Sequence, residues 1–239
     1  IIAIVNHKGG VGKTTTTINL GSGLQEQGKR VLLVDMDPQA SLTSSLVTPN
    51  PDQLTYTLTE MIESVCNREA VSYEATISSV EGMDVIPAKI DLFGSEIALQ
   101  NVISRETVLK RLLKPLRERY DYILLDCPPS LGVLTVNALT AADSVIVPVN
   151  PDYYSSKGLE LLLRTIGDMQ DTINPTLAIE GILITKTDRR AVFYKDVQDV
   201  LSDLKSSLPV FDTSIPIGVA AAEAPTVRMS VIHHQPSSP

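Results

Sequence analysis

Aromatic residues and cysteine are scarce in this sequence of 239 residues, and long apolar runs are absent. With three Phe, seven Tyr and no Trp, the core has to be built from aliphatic side chains. No apolar run approaches the ~18–20 residues that a helix needs to cross a bilayer, so we expect no membrane-spanning helix. The two cysteines, Cys66 and Cys127, have no Cys or His partner at metal-ligand spacing. This excludes a disulfide scaffold and indicates a reducing, cytoplasmic compartment without a structural metal.

Positive charge is also in deficit, because 20 Lys and Arg stand against 28 Asp and Glu and give a formal net charge of −8. Binding nucleic acid over the whole surface needs concentrated positive charge. With this charge balance, nucleic acid could be bound only by a local basic patch. Two stretches qualify. The first holds Lys186, Arg189, Arg190 and Lys195; the second runs from Arg105 to Arg119 and is offset by Glu106 and Glu118. Either stretch can also be the solvated face of a helix.

Short apolar segments alternate with segments of helical periodicity along most of the chain. The strands that we expect are Ile1–Val5, Arg30–Asp35, Met83–Pro87, Tyr122–Asp126, Ser144–Val149 and Leu177–Thr185. The helices that we expect are Thr14–Gln27, Leu58–Val65, Ser95–Arg119, Leu131–Ala141, Ser156–Gln170 and Ala191–Leu204. Continuously apolar strands alternating with helices predict an α/β fold, a doubly wound, mostly parallel sheet with helices on both faces.

The chain shows no repeat, no low-complexity tract and no linker, so residues 1–239 are predicted to form a single domain. Residues 41–81, rich in Ser, Thr, Pro and Asn, are the least regular part. The last residues, His233–Pro239, are expected to be an unstructured tail.

The strongest motif is a glycine-rich loop between the first strand and the first helix, Lys8-Gly-Gly-Val-Gly-Lys-Thr-Thr15. Backbone N–H groups of such a loop surround a phosphate, and the helix N-terminus adds partial positive charge. Lys13 is placed to reach the β- and γ-phosphates and the Thr14 hydroxyl to ligate Mg²⁺. The predicted nucleotide-binding residues of the loop are Lys8, Gly9, Gly10, Val11, Gly12, Lys13, Thr14 and Thr15. His7 stands where the ordinary pattern has Gly, so the loop is a deviant one.

Three aspartates follow apolar strands. Asp126 ends the run Tyr122–Asp126, ahead of Pro128 and Pro129, and is a candidate magnesium ligand, the alternative being a carboxylate that caps a turn. Asp35 and Asp37 are two residues apart at another strand end, so we expect different roles for them. A carboxylate near the γ-phosphate can orient the attacking water or contact the metal, and Asp37 is the candidate for both.

These motifs resemble those of the ParA/MinD group of P-loop ATPases with a deviant Walker A motif. The loop matches that motif, and Val34-Asp-Met-Asp-Pro-Gln39 resembles the first switch of the group. A third match is Leu125-Asp-Cys-Pro-Pro-Ser130 with the segment that follows it up to Asp143. Glu223-Ala-Pro225, shortly after Ile215-Pro216, resembles the C-terminal signature of the ParA/Soj partition branch. The resemblance runs from residue 1 to about residue 230 and implies a weak Mg²⁺-dependent ATPase.

The resemblance assigns roles to individual residues. It implies that Asp37 activates the attacking water, that Asp35 is structural or lies behind the magnesium, and that Lys8 reaches the phosphates bound by a second subunit. The implied product is a homodimer that sandwiches ATP and separates after hydrolysis.

The residues alone leave open whether the nucleotide is ATP or GTP. Thr185-Lys-Thr-Asp188 follows an expected strand and resembles the guanine-binding motif Asn-Lys-x-Asp, with Thr in place of Asn. GTP is therefore kept as the alternative nucleotide. The resemblance over the whole chain favours ATP, with adenine near Thr185, Asp188 and Pro216. Asp188 can equally cap the helix that we expect at Ala191–Leu204.

For ParA/Soj-like proteins the implied partners are nonspecific double-stranded DNA and a centromere-binding, ParB-like activator, in the nucleoid of a bacterium or archaeon. The candidate DNA contacts are Lys186, Arg189, Arg190, Lys195 and Arg228. One departure counts against them, since Ile217 and Ala220 occupy positions where many chromosomal relatives carry arginine.

Two other functions remain open. A MinD-like ATPase that positions a membrane or protein cargo needs a C-terminal amphipathic helix, which Val231–Pro239 does not provide. A metabolic P-loop enzyme, such as a synthetase or a cluster-bridging reductase, is the third possibility, and paired cysteines for a cluster are missing from this sequence.

Overall fold

A computed structural model describes residues 1–150, 157–187 and 208–238 of the chain. Its described residues form one eight-stranded sheet in the order β3-β4-β2-β5-β1-β6-β7-β8. The strands are β1 (Ile2–Ile4), β2 (Val31–Asp35), β3 (Ser78–Val80), β4 (Met83–Ile86), β5 (Tyr122–Asp126), β6 (Ser144–Val149), β7 (Ala178–Thr187) and β8 (Val210–Pro216). All neighbouring strands are parallel except the antiparallel pair β3–β4. The predicted fold class, α/β with a mostly parallel sheet, is confirmed.

Eight of the described helices lie between these strands, and the last two follow β8. They are α1 (Lys13–Glu26), α2 (Ser41–Leu46), α3 (Leu58–Asn67), α4 (Tyr73–Thr76), α5 (Leu92–Leu99), α6 (Val108–Leu113), α7 (Val133–Ala141), α8 (Lys157–Thr172), α9 (Val219–Glu223) and α10 (Val231–His234). Short 3₁₀ turns occupy Pro51–Gln53, Arg105–Thr107, Lys114–Leu116 and Ala224–Val227. None of the helices within the described ranges is long and apolar enough to span a bilayer.

Alternating side chains of the sheet enter two separate aliphatic cores. On β2, Leu32 and Val34 join a large cluster that packs against α3 and α5 to α8, whereas Val31 and Leu33 join a smaller cluster beneath α1 and α2. Because both faces are covered, the central strands are apolar at every position, which is the pattern seen in the sequence. Helix α1 lies so close to β2 that a Cβ on Gly21 would stand 2.7 Å from a Leu33 methyl group.

The elements differ from the sequence-based expectation in several places. The expected helix Ser95–Arg119 is divided into α5, α6 and two 3₁₀ turns. Between α5 and α6 the backbone turns at Ser104, which has a left-handed φ of 57°, and after α6 Pro115 lacks the N–H of a helical hydrogen bond. Strands β3 and β8 were not expected, since neither contains a continuous apolar run and β8 does not alternate apolar and polar residues. The expected helix Ala191–Leu204 lies outside the described residues.

The C-terminal segment docks on α1, which corrects the expected unstructured tail at His233 and His234. The Ser230 hydroxyl accepts a hydrogen bond from the His233 N–H and so caps α10. Asn19 on α1 accepts from the Val231 N–H at 2.8 Å, and the His233 ring lies 3.0 Å from the Glu81 carboxylate. A four-residue helix leaves little periodicity to detect and is stabilised by these distant partners. That residues 1–239 form a single domain stays a prediction.

Candidate functional site

The candidate site lies at the carboxyl edge of the sheet, where the chain leaves three adjacent strands. Strand β1 lies between β5 and β6, and β2 follows β5. The glycine-rich loop follows β1, the Asp35–Asp37 segment ends β2, and Asp126 ends β5. Open parallel sheets bind their ligands at this edge.

The glycine-rich loop turns into α1 through two glycines with left-handed backbone, Gly10 at φ 73° and Gly12 at φ 88°. Glycine adopts these conformations without steric penalty, so the two positions account for the glycines of the motif. Gly9 and Gly10 are exposed, and α1 begins at Lys13. The loop therefore presents backbone N–H groups next to a helix N-terminus, an arrangement that attracts anions.

Lys13 is folded back on the loop. Its ammonium donates to the Lys8 carbonyl oxygen at 3.1 Å, and its side chain is buried. Burial lowers the pKa of Lys13, while the carboxylates of Asp126 and Asp37 act in the opposite direction. Lys8 itself is half-buried, and its N–H donates to the Asn6 side-chain oxygen at 3.0 Å.

Thr14 and Asp126, predicted separately as magnesium ligands, are in direct contact. The Thr14 hydroxyl donates to the Asp126 carboxylate at 2.7 Å, and the Thr17 hydroxyl lies 3.4 Å from the other carboxylate oxygen. Asp126 is buried, and burial, followed by the neighbouring Asp35 carboxylate, raises its pKa. A carboxylate beside hydroxyl oxygens offers the hard ligands that Mg²⁺ prefers.

Magnesium is usually held by one or two protein oxygens together with substrate phosphates. Thr14 and Asp126 offer two such oxygens, one from a hydroxyl and one from a carboxylate. Among the described residues, no group of three His, Cys, Asp or Glu side chains could hold a metal ion.

Asp35 and Asp37 have different surroundings. The Asp35 carboxylate is buried and accepts hydrogen bonds from the Thr43 N–H at 2.8 Å, the Thr43 hydroxyl at 2.7 Å and the Asp37 N–H at 3.2 Å. Asp37 is half-buried and accepts from the Gln39 N–H at 2.9 Å. Burial raises the pKa of Asp37, opposed by the Gln39 N–H and by Lys13. Asp35 thus holds α2 against the sheet, and Asp37 remains accessible at the edge.

Thr185 and Pro216, predicted to contact the base, lie on β7 and β8, on the opposite side of the glycine-rich loop from Asp35 and Asp126. Thr185 is buried on β7, and its hydroxyl donates to the Val11 carbonyl oxygen at 2.7 Å. Pro216 ends β8 in register with Thr187 and is half-buried. Asp188 lies outside the described residues.

The predicted DNA contacts are only partly within the described ranges. Lys186 at the end of β7 and Arg228 after the last 3₁₀ turn are exposed, whereas Arg189, Arg190 and Lys195 lie outside the described residues. In the second basic stretch Lys110, Arg111 and Lys114 are exposed on α6 and its following turn. Arg117 is paired with Asp143 at 2.7 Å.

Two polar residues at the site were missed in the sequence. The Asn6 amide donates to the Pro148 carbonyl oxygen at 2.8 Å and so ties the start of the loop to β6. Thr17 donates to the Lys13 carbonyl oxygen and points at Asp126. A polar residue ending an apolar strand, and the run of four threonines after Lys13, are the signals that could have indicated them.

Comparison with known proteins places this geometry in context. A family model described as an AAA domain (AAA_31) matches residues 1–179. Sporulation initiation inhibitor protein Soj of Bacillus subtilis is 45% identical over 241 residues, covering 100% of this chain and 92% of Soj. Chromosome partitioning protein ParA of Myxococcus xanthus is 42% identical over 233 residues, covering 97% of this chain and 80% of that protein.

A crystal structure described as cobyrinic acid a,c-diamide synthase from Mycobacterium smegmatis, with bound ATP analogue and magnesium, is 41% identical. It covers 99% of this chain and 95% of its own, with a TM-score of 0.83. The same fold thus binds an ATP analogue and magnesium in a protein of closely similar sequence.

Proposed function

Because this chain belongs to the ParA/Soj-type P-loop ATPases, we propose that it is an ATP-dependent switch for plasmid or chromosome partition. In its ATP-bound state two copies bind nonspecific DNA, and hydrolysis stimulated by a ParB-like, centromere-binding partner releases them. The observation that carries the proposal is the contact between Thr14 and Asp126 beside the glycine-rich loop, since it joins the hydroxyl and the carboxylate that Mg²⁺–ATP requires.

Nucleotide binding uses groups that already converge. The loop from Lys8 to Thr15 surrounds the phosphates with N–H groups, and Lys13 exchanges the Lys8 carbonyl oxygen for the β- and γ-phosphates. Thr14 and Asp126 hold the magnesium, which neutralises charge on the phosphate oxygens. Adenine lies towards Pro216 and the segment that includes Asp188.

Hydrolysis is assigned to Asp37. It lies two residues beyond the end of β2, is accessible at the sheet edge and is near enough to Lys13 for that cation to oppose the rise in its pKa. Its carboxylate orients and activates the water that attacks the γ-phosphate. Asp35 does not take this part, because its oxygens already accept from Thr43 and from the Asp37 N–H.

Dimerisation depends on Lys8. A cation that reaches the phosphates of a second subunit makes the nucleotide part of the interface, and loss of the γ-phosphate weakens that interface. We therefore expect Asp37→Ala to bind ATP and accumulate as a dimer without turnover, measured by light scattering and phosphate release. Unchanged turnover would move the catalytic role to another residue.

DNA binding is assigned to Lys186, Arg189, Arg190, Lys195 and Arg228, which contact phosphates without reading bases. Exposed Ile217, in a position where many relatives carry arginine, contributes no charge, so this cluster has to supply it.

The test is binding to random-sequence duplex DNA at low and moderate salt, with ATP, with ADP and without nucleotide. We expect salt-sensitive binding with ATP alone. Arg189→Glu with Arg190→Glu should abolish it, and the matched pair Lys110→Glu with Lys114→Glu on α6 should not. Binding lost only in the second pair would move the interface to α6. ATP turnover without DNA binding in any state would favour the MinD-like alternative, to be tested on vesicles of anionic lipid.

A second candidate function follows from the similarity to the structure described as a diamide synthase. A diamide synthase would use ATP to join ammonia to carboxylate groups of cobyrinic acid, and one ATP would become ADP and phosphate for each amide formed. Turnover that rises with cobyrinic acid and ammonia, and stays unchanged with DNA, would favour this candidate.

A further inference from the structure

The glycine-rich loop is attached to neighbouring strands by two side chains, one at each end. At its start the Asn6 amide donates to the Pro148 carbonyl oxygen of β6 at 2.8 Å. At its end the Thr185 hydroxyl of β7 donates to the Val11 carbonyl oxygen at 2.7 Å and lies 3.3 Å from the Val149 carbonyl oxygen. Thr185 therefore joins β7, the end of β6 and the turn that leads into α1.

The Val11 carbonyl fixes the direction of the next N–H group. The chain has no cis peptide bond among the described residues, and in a trans peptide the carbonyl and the N–H point in opposite directions. Because the Val11 oxygen points at Thr185, the Gly12 N–H points away from β7. Within the described residues this N–H has no acceptor, so it is available to an anion in the loop.

Thr185 has no free donor with which to read a base. A hydroxyl has a single proton, and here it is directed at Val11. The side chain is 3% exposed, and its three outer atoms stand 3.7–3.9 Å from the position that a Cβ on Gly12 would occupy. The methyl group thus fills the space beneath Gly12, whose φ of 88° favours glycine.

We propose that Thr185 is a positioning residue that orients the Gly12 N–H towards the phosphates, and that it does not select the base. This inference rests on the proposed function, in which the loop binds nucleotide. It assigns Thr185 a role different from the base contact expected from its sequence motif.

Two ligands separate the alternatives, because Mg²⁺–pyrophosphate has phosphates without a base and ADP has both. Their affinities are measured for the unaltered chain, Thr185→Val and Thr185→Ser, by competition with a fluorescent nucleotide, alongside GDP. In Thr185→Val, loss of the hydrogen bond to the buried Val11 carbonyl should weaken the binding of ADP and of pyrophosphate alike, by about tenfold each. Thr185→Ser, which keeps the hydroxyl, should restore both, and the ratio of ADP to GDP affinity should stay constant.

Thermal unfolding of each variant provides the control for folding. If Thr185→Val does not fold, Thr185→Cys has a similar volume and only a weak donor, so it takes its place. The proposal would be overturned in favour of base recognition by a variant that binds ADP more weakly, binds pyrophosphate with unchanged affinity and has an altered ratio of ADP to GDP affinity. An unaltered chain that binds neither ligand would overturn the proposed function and this inference together.

Discussion

The two ends of the strand pair β2–β5 carry opposite electrostatic arrangements. Before the strands, exposed Arg30 and Asp121 form a two-pronged ion pair, with Nη2–Oδ1 at 2.9 Å and Nε–Oδ2 at 3.2 Å. Five residues further along each strand, Asp35 and Asp126 stand in register as two buried carboxyl groups. Neighbouring parallel strands are about 4.8 Å apart, so two carboxyl groups that repel each other when ionised lie side by side at that end.

Under the proposed function, this difference separates the end of the strand pair that contributes to stability from the end that binds magnesium and nucleotide. The Arg30–Asp121 pair needs no further partner. At the other end Asp35 is saturated by donors from its own segment, whereas Asp126 accepts from hydroxyl groups that a metal can share. A buried pair of carboxyl groups is unfavourable in the empty chain and becomes favourable once a cation arrives.

The largest effect is expected from removing the cation beside the carboxylates. Lys13→Ala should weaken ATP binding by about 100-fold or more, because the loop loses its charge on the β- and γ-phosphates. Titration with a fluorescent ATP analogue measures this, and exposed Lys29→Ala is the matched control. Retained micromolar affinity in Lys13→Ala would contradict the assignment of the loop.

Neutralising each buried carboxylate should separate ligand binding from stability. Asp126→Asn should lose Mg²⁺-dependent turnover and keep or gain stability, because it relieves the repulsion by Asp35. Asp35→Asn should lose about 1–3 kcal/mol in the free energy of unfolding, because an amide places donors against the Thr43 and Asp37 N–H groups. Urea unfolding measures the stability and phosphate release measures the turnover. Equal effects of both variants on the two measurements would contradict the different roles assigned to Asp35 and Asp126.

The stability of the empty chain should depend on pH through the same pair. Burial raises the pKa of both Asp35 and Asp126 above the ordinary value of 3.8, so the folded chain binds their protons more tightly than the unfolded chain. The pair's contribution to the free energy of unfolding should therefore fall as pH rises above 3.8. Asp126→Asn should reduce that slope in urea unfolding without nucleotide, and parallel curves for the two proteins would contradict the assignment.

The smallest effect is expected at the other end of the strand pair. The Arg30 guanidinium lowers the pKa of Asp121 to about 2. Its stabilisation should be complete above the ordinary pKa of 3.8 and should disappear as pH falls towards 2. Because both groups are exposed, Asp121→Asn should lower the melting temperature near pH 6 by only ~1–2 °C. A larger drop would show that this pair does more than join two strand starts.

The sequence was most informative where a single local rule governs the structure. Strands β5 and β6 have the predicted bounds, since continuous apolar runs between turn residues identify buried strands. The positions of the loop after β1 and of Asp35 and Asp126 at strand ends were also predicted, because each of them directly follows or ends a continuous apolar run.

Features that depend on distant partners were not accessible in this way. The bond from Thr185 to Val11 crosses 174 positions, and that from Val231 to Asn19 crosses 212. Thr185 lies in a motif that resembles a base-recognition motif, and nothing in that local sequence indicates that its hydroxyl donates to the Val11 carbonyl oxygen. Short helices such as α10 are formed by docking, so their sequences contain little periodicity.

The docking of α10 on α1 has a consequence for synthesis of the protein. Helix α1 is made well before its partners, because the Asn19 acceptor and the buried Ser22 hydroxyl meet Val231 and Ser230, which lie 212 and 208 positions further along the chain. This face of α1 is therefore completed late, and a nascent chain holds it uncovered while the intervening residues are made. Ribosome-bound intermediates should accordingly leave this face of α1 open to chaperones until α10 emerges.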